Sequence, residues 1–235
     1  MMSIRTKNKN KMKRKPDLIF GSLALFLFSF LLLNCGDYKK PATGQEDEIM
    51  VVADSLEYYE LENTLLSVFS KIIYTPQAEN LFELKRRDIS EFSSFKNRKN
   101  IIFIAPLNTE SQVSQFIGTM LTDDVKQLVK DDSVSVINKY DLWAGGQLVM
   151  VITASDIDKL NKNILKENEN LIHYFQKASD KRLFESLYNA RYEQKDIEAE
   201  ILNSYGWMIY VQLDYNLAVN SPEDKFVWLR RSPDT

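Results

Sequence analysis

The pattern of apolar and polar residues predicts a body that mixes strands and helices. Apolar runs of about four to eight residues are typical of buried strands. Such runs occupy residues 49–53, 100–106, 134–140 and 147–153. Residues 82–89 alternate apolar and polar side chains, which indicates a half-exposed strand. Near the C-terminus, the pattern predicts a long strand at residues 207–219 and a partner strand at 226–230.

Apolar residues at helical spacing predict helices between these strands. The first stripe covers residues 61–73 and should end before Pro76, because a residue that precedes proline avoids the α conformation. Thr109 and Gln112 form a capping box that predicts the start of the next helix. Further stripes cover residues 125–129, 157–192 and 197–205, the last of which is followed by Gly206. The stretch at 157–192 is either one helix or a pair broken near residues 179–180.

The order of these elements favours the α+β class. Helices do not alternate singly with strands, as they would in a doubly wound parallel sheet. We therefore expect a single mainly antiparallel sheet with helices packed on one face, after an N-terminal signal segment and a flexible tether. The domain should span residues 49–235. The chain stops about five residues after its last predicted strand, which is compatible with a truncated C-terminus.

The N-terminal segment has the pattern of an export signal. Seven basic side chains lie between Arg5 and Lys15, and an uncharged apolar run follows at residues 18–33. The run is shorter than the roughly 20 residues that a spanning helix needs. Its end, Leu32 to Gly36, resembles the lipobox of bacterial lipoproteins. That resemblance implies a signal peptide at residues 1–34 and a diacylglycerol on Cys35. The alternative is an uncleaved membrane anchor, with Cys35 as a bystander.

Composition limits the kinds of partner that the exported part of the chain can bind. Cys35 is the only cysteine, so the remainder forms no disulfide. Residues 36–48 are polar and contain Pro41 and Gly44, which predicts that residues 35–48 form a lipidated flexible tether. The whole chain has a formal charge of -3, and residues 36–235 carry about -9. An acidic body argues against a nucleic-acid partner and against lying flat on anionic lipid.

Four short segments together carry a family resemblance. They are Glu48–Asp54, Pro76–Glu79 with Phe82, Arg98–Ile102 and Asp141–Val149. They resemble uncharacterised lipoproteins of the Bacteroidetes–Chlorobi group, which are known only as a domain of unknown function. The resemblance covers most of residues 35–231 and implies an exported, palmitate-bearing α+β domain without an established activity. Asp37 is the single acid close behind Cys35, which favours the periplasmic face of the outer membrane over the cell surface.

Candidate catalytic and metal-binding residues are few. His173 is the only histidine, which excludes a two-histidine metal site. It could act as a general base, but the sequence contains no nucleophile motif to go with it. Pairs of acids can bind calcium or carry out hydrolysis. The pairs here stand at predicted helix starts and turns, where acids cap helices: Asp123 with Asp124, Asp131 with Asp132, and Asp156 with Asp158. We assign no catalytic residue, metal or cofactor.

One loop is a candidate binding site. Trp143, Gly145, Gly146 and Gln147 lie between two predicted strands, and loops on a rigid scaffold often carry binding residues. An indole beside glycines can stack on a sugar or a peptide. The simpler interpretation is a turn whose tryptophan packs against the edge of the core.

The favoured function is a non-enzymatic envelope lipoprotein that docks an envelope protein or the cell wall. The alternative is a periplasmic domain that binds a small ligand or glycan through Trp143 and Gln147. A third, weaker hypothesis is a hydrolase that uses acids alone. The membrane is contacted through the N-terminal lipid in each case.

Overall fold

A five-stranded sheet forms the centre of the molecule, for which a computed structural model describes residues 39–107 and 109–232. In chain order the strands are β1 (Glu48–Val52), β2 (Ile72–Tyr74), β3 (Ala78–Asn80), β4 (Glu83–Arg87), β5 (Asn100–Ile104), β6 (Val136–Tyr140), β7 (Leu148–Ile152), β8 (Tyr215–Ser221) and β9 (Phe226–Arg231). The helices are α1 (Ser55–Phe69), α2 (Phe92–Phe95), α3 (Gln112–Met120), α4 (Asp123–Lys130), α5 (Ile157–Lys166), α6 (Asn168–Leu187) and α7 (Lys195–Tyr205). The predicted signal peptide and Cys35 lie outside the described residues.

The main sheet is mixed and mostly parallel, so the prediction of a single mainly antiparallel sheet is wrong. Its strand order is β4-β1-β5-β7-β6. β1 pairs in parallel with both β4 and β5, and β5 pairs in parallel with β7. In this sheet β6 alone runs antiparallel, beside β7. Parallel pairing of β1 with β4 requires a long return connection, which α1 and the short β2–β3 hairpin supply.

Helices cover both faces of the sheet, which also corrects the prediction that they pack on one face. α1, α5 and α6 bury their apolar residues against one face, and α2, α3 and α4 bury theirs against the other. Because neighbouring residues of a strand point to opposite faces, a strand between two helical layers must be apolar on both. β5 and β7 meet this requirement, since all of their residues are buried.

Three phenylalanines hold α6 against the sheet. The ring of Phe175 lies 5.9 Å from that of Phe69 and 5.8 Å from that of Phe82, in edge-to-face contacts. Phe69 and Phe175 are fully buried. Edge-to-face aromatic pairs stabilise by about 0.5–1.5 kcal/mol beyond the area that they bury. The helix that lines the candidate site is therefore fixed by core packing.

Several local predictions are confirmed and others are corrected. The predicted strands at residues 82–89, 100–106, 134–140 and 147–153 are present with slightly shorter bounds. Gly206 ends α7 in the left-handed conformation, with φ of 78°. Ser111, rather than Thr109, caps α3 by accepting a hydrogen bond from the Ser114 amide. The long strand expected at 207–219 is shorter and begins at Tyr215.

Residues 40–47, which were assigned to the tether, lie along the domain. The amide of Ala42 donates to the carbonyl of Gly145, and the amide of Gly145 donates to the carbonyl of Lys40. Thr43 exchanges backbone hydrogen bonds with residues 97 and 99. The second half of the predicted tether therefore adds a backbone layer to the edge of the domain before β1 begins.

The C-terminal part consists of α7 and the β8–β9 hairpin. A two-stranded hairpin is marginally stable in water unless a helix covers it. The hydroxyl of Tyr205, the last residue of α7, lies 2.8 Å from Asn220 Oδ1 and 2.7 Å from the carbonyl oxygen of Phe226. Glu200 accepts a hydrogen bond of 2.6 Å from the Asn220 amide group. These contacts fix the hairpin to α7.

Candidate functional site

The predicted binding loop connects β6 to β7 and is held by its own polar groups. Gly146 has a φ of 74° and Asp141 has a φ of 53°, so both residues adopt the left-handed conformation. The amide of Gly146 donates a hydrogen bond of 2.6 Å to the Asp141 carboxylate. Glycine adopts this conformation without steric cost, and aspartate tolerates it better than most residues do. The loop is therefore a defined turn.

Gln147 is a buried residue of this loop, with 1% of its surface exposed. Its Nε2 group donates to the carbonyl oxygens of Lys96 and Arg98, at 2.7 and 2.8 Å. Its Oε1 atom accepts from the Trp143 amide at 3.0 Å. The amide group thus braces the loop against the segment that precedes β5.

Trp143 packs beside an aromatic cluster on the helical layer formed by α2, α3 and α4. Its ring centroid lies 4.8 Å from that of Phe92 and 6.1 Å from that of Phe103, both edge to face. The tryptophan is half-buried. Packing against the core edge thus occupies the indole, and the backbone of Gly145 pairs with residues 40 and 42. A ligand-binding role for Trp143 and Gln147 stays a prediction.

A cavity of about 420 Å³ lies between this loop and helix α6, and we call it the α6 cavity. The strand end and loop contribute Tyr140, Asp141, Gly146 and Gln147. The helix contributes Lys177, Ala178, Lys181, Arg182 and Glu185. Small-molecule sites commonly enclose about 300–1,000 Å³, so the cavity has the size of a ligand site.

Arg182 is a charged residue of the cavity lining that is held by four hydrogen bonds. It donates to the Glu46 carboxylate through Nε at 2.8 Å and through Nη2 at 2.6 Å. It also donates to Asn100 Oδ1 at 3.1 Å and to the carbonyl oxygen of Gly146 at 2.9 Å. A guanidinium held at four points is a fixed wall of the cavity.

The charge of Glu46 is stabilised by this network. Burial acts to raise the pKa of its carboxyl group, but hydrogen bonds from Arg182 and Lys99 outweigh burial, so the pKa lies below the ordinary value. The Lys99 ammonium is 2.7 Å from Glu46 Oε1. Because an opposite charge and hydrogen bonds favour the ionised form, Glu46 remains a carboxylate at neutral pH.

A second polar cluster lies at the carboxyl ends of β1 and β5, where sequence analysis assigned no site. The connection after β1 leads to β4 on one side, and the connection after β5 leads to β6, beyond β7, on the other. Ligands of open α/β sheets bind in the crevice where the strand order reverses in this way. Asp54, Glu57, Thr109 and Ser111 lie here. Fold topology alone brings the first two to the last two, because these pairs are about 50 residues apart in the chain.

The groups of this crevice mostly bond to one another. Asp54 accepts from the Val113 amide at 3.3 Å, and Thr109 Oγ1 donates to Glu57 Oε1 at 3.3 Å. Glu57 Oε2 is buried and has no hydrogen-bond partner among the described residues. Burial, and next the charge of Asp54, raise the pKa of the Glu57 carboxyl group, against the hydrogen bonds from Ser111 and Thr109. The crevice thus holds one carboxyl group that is poorly suited to carry charge.

His173 and the acid pairs have ordinary structural positions. His173 is exposed on α6. Asp156 caps α5 by accepting from the Lys159 amide at 2.9 Å, and Asp123 and Asp124 begin α4. Asp132 accepts from Asn163 Nδ2 at 3.0 Å. Within the described part of the chain, no group of three or more His, Cys, Asp or Glu side chains is placed to hold a metal ion.

An apolar surface on the hairpin was missed by sequence analysis. Phe226, Trp228 and Arg230 alternate along β9 and so point to one face, and Val219 pairs directly with Trp228 across the hairpin. We call these four residues the hairpin outer face. Phe226 and Trp228 are each 51% exposed and Val219 is 38% exposed. The opposite face, which carries Leu217 and Leu229, is half-buried.

The chain belongs to a family described as a domain of unknown function (DUF8532), whose model matches residues 42–188. The prediction of a domain of unknown function is confirmed over these residues, a shorter range than residues 35–231, and the match does not bear on lipoprotein status or on the Bacteroidetes–Chlorobi group. The match does not identify an enzyme family. No curated protein and no solved structure matches the chain.

The two candidate surfaces differ in their relation to the family. Every residue that lines the α6 cavity lies within the matched range, whereas the hairpin outer face lies beyond it. Among the described residues, no helix has the length and apolar character to cross a membrane.

Proposed function

We propose that the protein is a lipid-anchored component of the cell envelope, on the periplasmic face of the outer membrane. The basic segment, the apolar run and Cys35 support this proposal, because together they have the form of a lipoprotein signal. Several acyl chains would hold the chain firmly, at about 0.8 kcal/mol for each buried methylene. The variant Cys35→Ala should lose radiolabelled palmitate in growing cells. Label that persists in this variant would contradict lipidation.

Its proposed role is non-enzymatic docking of an envelope protein through the hairpin outer face. The observation that carries this role is the exposure of two large aromatic side chains, Phe226 and Trp228, side by side on a strand. Monomeric soluble proteins rarely expose contiguous apolar patches larger than a few hundred Å², and patches above that size mark interaction sites. Tryptophan and arginine are also the residue types that most often dominate binding energy in interfaces.

The charge beside the patch indicates the chemistry of the partner. Arg230 is exposed on the same face and forms no ion pair with a described residue, and Lys225 is exposed in the turn that precedes β9. We therefore expect a partner protein that presents an apolar surface bordered by carboxylates. Opposite charges at the rim of an interface mainly increase the association rate, and salt weakens their effect.

Site-specific photo-crosslinking in intact cells tests the docking proposal. A photoreactive amino acid in place of Trp228 should give one defined adduct with an envelope protein. The same amino acid in place of Tyr59, which is 78% exposed on α1, should not give it. Adducts of equal yield from both positions, or an adduct with a second copy of this chain, would overturn the proposal.

Binding to the purified partner provides the quantitative test. Trp228→Ser should weaken the complex about tenfold or more, whereas the control Tyr59→Ser should leave affinity unchanged. Arg230→Glu should slow association at low salt and have less effect at high salt. Full affinity in Trp228→Ser would show that the hairpin outer face is not the docking surface.

A second candidate function is the binding of a small ligand or glycan in the α6 cavity. The observation that favours it is the position of the cavity, which has Gly146 and Gln147 of the predicted loop in one wall. Titration with envelope sugars should shift the backbone amide resonances of Gly146 and Ala178. A screen in which no sugar moves either resonance would remove this candidate.

A further inference from the structure

The α6 cavity has a cationic wall that the proposed functions leave without a role. Lys177 and Lys181 are four residues apart on α6, and Arg182 follows directly. Residues at this spacing lie on one face of a helix, about 5–6 Å apart at their Cβ atoms. Three cationic side chains therefore face a cavity of about 420 Å³.

These three cations are not equivalent. Arg182 is neutralised by Glu46, and its side chain is only 11% exposed. Lys177 forms no ion pair with a residue that the structure describes. Lys181 lies 3.8 Å from Glu185 Oε1, but the two side chains are 69% and 61% exposed, and such exposed pairs contribute little. Neither lysine is therefore held in a buried ion pair.

A pair of lysines at this spacing is intrinsically unfavourable. Like charges four residues apart on a helix repel each other and weakly destabilise it. An anion seated between two ammonium groups reverses this repulsion and gains charge-assisted hydrogen bonds. The cavity provides the space for such an anion at the point where the lysines meet it.

The remaining lining residues suit a hydroxylated ring. Tyr140 is 55% exposed and presents an aromatic surface at the cavity, while Ala178 lies in the lining with only 9% of its surface exposed. The lining also holds the carboxylate groups of Glu185 and Asp141, the second of which accepts the Gly146 amide. A carboxylate oxygen can accept hydrogen bonds from hydroxyl groups as well. The mixture of two lysines with two acids is therefore what an anion with a polyhydroxy body would use.

We propose that the α6 cavity binds an acidic sugar, with its carboxylate or phosphate group between Lys177 and Lys181 and its ring against Tyr140. This inference rests on the ligand-binding role proposed for the cavity. It assigns Arg182 a positioning role, because its guanidinium joins α6 to the loop through the Gly146 carbonyl group.

Titration of the full-length protein with four probes tests the proposal by nuclear magnetic resonance or calorimetry. Glucuronic acid carries a carboxylate, glucose 6-phosphate carries a phosphate, glucose is neutral, and inorganic phosphate lacks the ring. One or both acidic sugars should bind, with shifts at Gly146 and Ala178, about tenfold or more tightly than glucose and inorganic phosphate. The acidic sugar that binds more tightly identifies the anionic group.

A matched pair of double variants separates the effect of charge in the α6 cavity from the effect of the protein's net charge. Lys177→Gln with Lys181→Gln should weaken acidic-sugar binding about tenfold or more. Lys162→Gln with Lys166→Gln removes the same charge at the same spacing on α5, outside the cavity, and should leave binding unchanged. Tyr140→Ala should weaken binding of the sugars while leaving inorganic phosphate unaffected.

The outcomes distinguish a failure of this inference from a failure of the ligand-binding role on which it rests. Glucose that binds as tightly as the acidic sugars, with shifts at Gly146, would keep the cavity as a ligand site and overturn the acidic class. An equal loss of acidic-sugar affinity in both lysine double variants would also overturn the inference, because the effect would then come from the net charge of the protein. Absence of binding for all four probes up to about 10 mM would count against the inference and the ligand-binding role together.

Discussion

Buried polar side chains in this molecule serve the backbone at the ends of strands. Asn100 donates to the carbonyl oxygens of Glu46 and Glu48, and Gln147 donates to those of Lys96 and Arg98. At the carboxyl ends of β5 and β7, Thr153 donates to the carbonyl oxygen of Ala105 at 2.8 Å. An unpaired buried carbonyl group costs free energy, so these residues stabilise the points where strands enter loops.

Glu57 departs from this pattern and gives a pH-dependent prediction. Its carboxyl group has a raised pKa in the folded protein, because burial and Asp54 disfavour its charge. Folding stability is therefore lost as the pH rises from the ordinary pKa of glutamate through the raised value. Glu57→Gln imitates the protonated form, so it should stabilise the protein at pH 7, by only about 0.2–0.5 kcal/mol because solvent screens this partly exposed group.

Urea unfolding at several pH values checks this prediction. The gain from Glu57→Gln should shrink toward zero below the ordinary pKa of glutamate, where the wild-type carboxyl group is protonated in both states. Glu223→Gln, at an exposed residue of the β8–β9 turn, serves as the control and should show no such gain. A gain from Glu57→Gln that is the same at pH 4 and pH 7 would contradict the electrostatic explanation.

At the scale of elements, two glycines have opposite requirements. Gly118 lies inside α3, and a Cβ atom added there would meet no atom within 4 Å. Glycine inside a helix costs about 0.5–1 kcal/mol relative to alanine. Gly146 has a φ of 74°, and the added Cβ would make ordinary contacts of 3.4 Å with Arg182. The cost of alanine at this position is therefore conformational and amounts to about 1–2 kcal/mol.

Denaturant midpoints of the two alanine variants should move in opposite directions. Gly118→Ala should raise the free energy of unfolding by about 0.5–1 kcal/mol, and Gly146→Ala should lower it by about 1–2 kcal/mol. Each variant is the control for the other, because both add a single methyl group. If Gly146→Ala proved neutral, the turn would not require its left-handed conformation.

At the scale of the whole molecule, an ion pair beside the α6 cavity joins distant parts of the chain. Glu46 and Arg182 are 136 residues apart, and their ion pair links the segment before β1 to helix α6. Both residues lie within the family match at residues 42–188. The hairpin outer face lies beyond that range, so the two proposed functions occupy separate parts of the molecule.

Much of the local structure followed from sequence pattern. The buried strands at 100–106 and 147–153 and the helix end at Gly206 were predicted because each depends on neighbouring residues. The prediction of antiparallel pairing is wrong because it rests on element order, whereas the sequence of β7 is apolar without a break. That sequence was the available signal for a parallel sheet covered on both faces.

The candidate sites depended more on tertiary structure. The loop at residues 141–147 was recognised from its glycines, but its partner wall on α6 was not, because no local pattern brings Lys177 to Gly146. The hairpin outer face was missed for a related reason. Residues 226–230 read as an ordinary strand, and only the two-stranded pairing of β8 with β9 leaves their apolar side chains exposed.

Sequence by itself determined where most of the helices and strands form and that the body is acidic. These properties depend on composition and on contacts within a few residues. Only the tertiary structure decided that the sheet is mostly parallel, that helices cover both of its faces, and which charges meet at a cavity. Those properties depend on contacts between residues far apart in the chain, and hydrophobic burial fixes such contacts for the molecule as a whole.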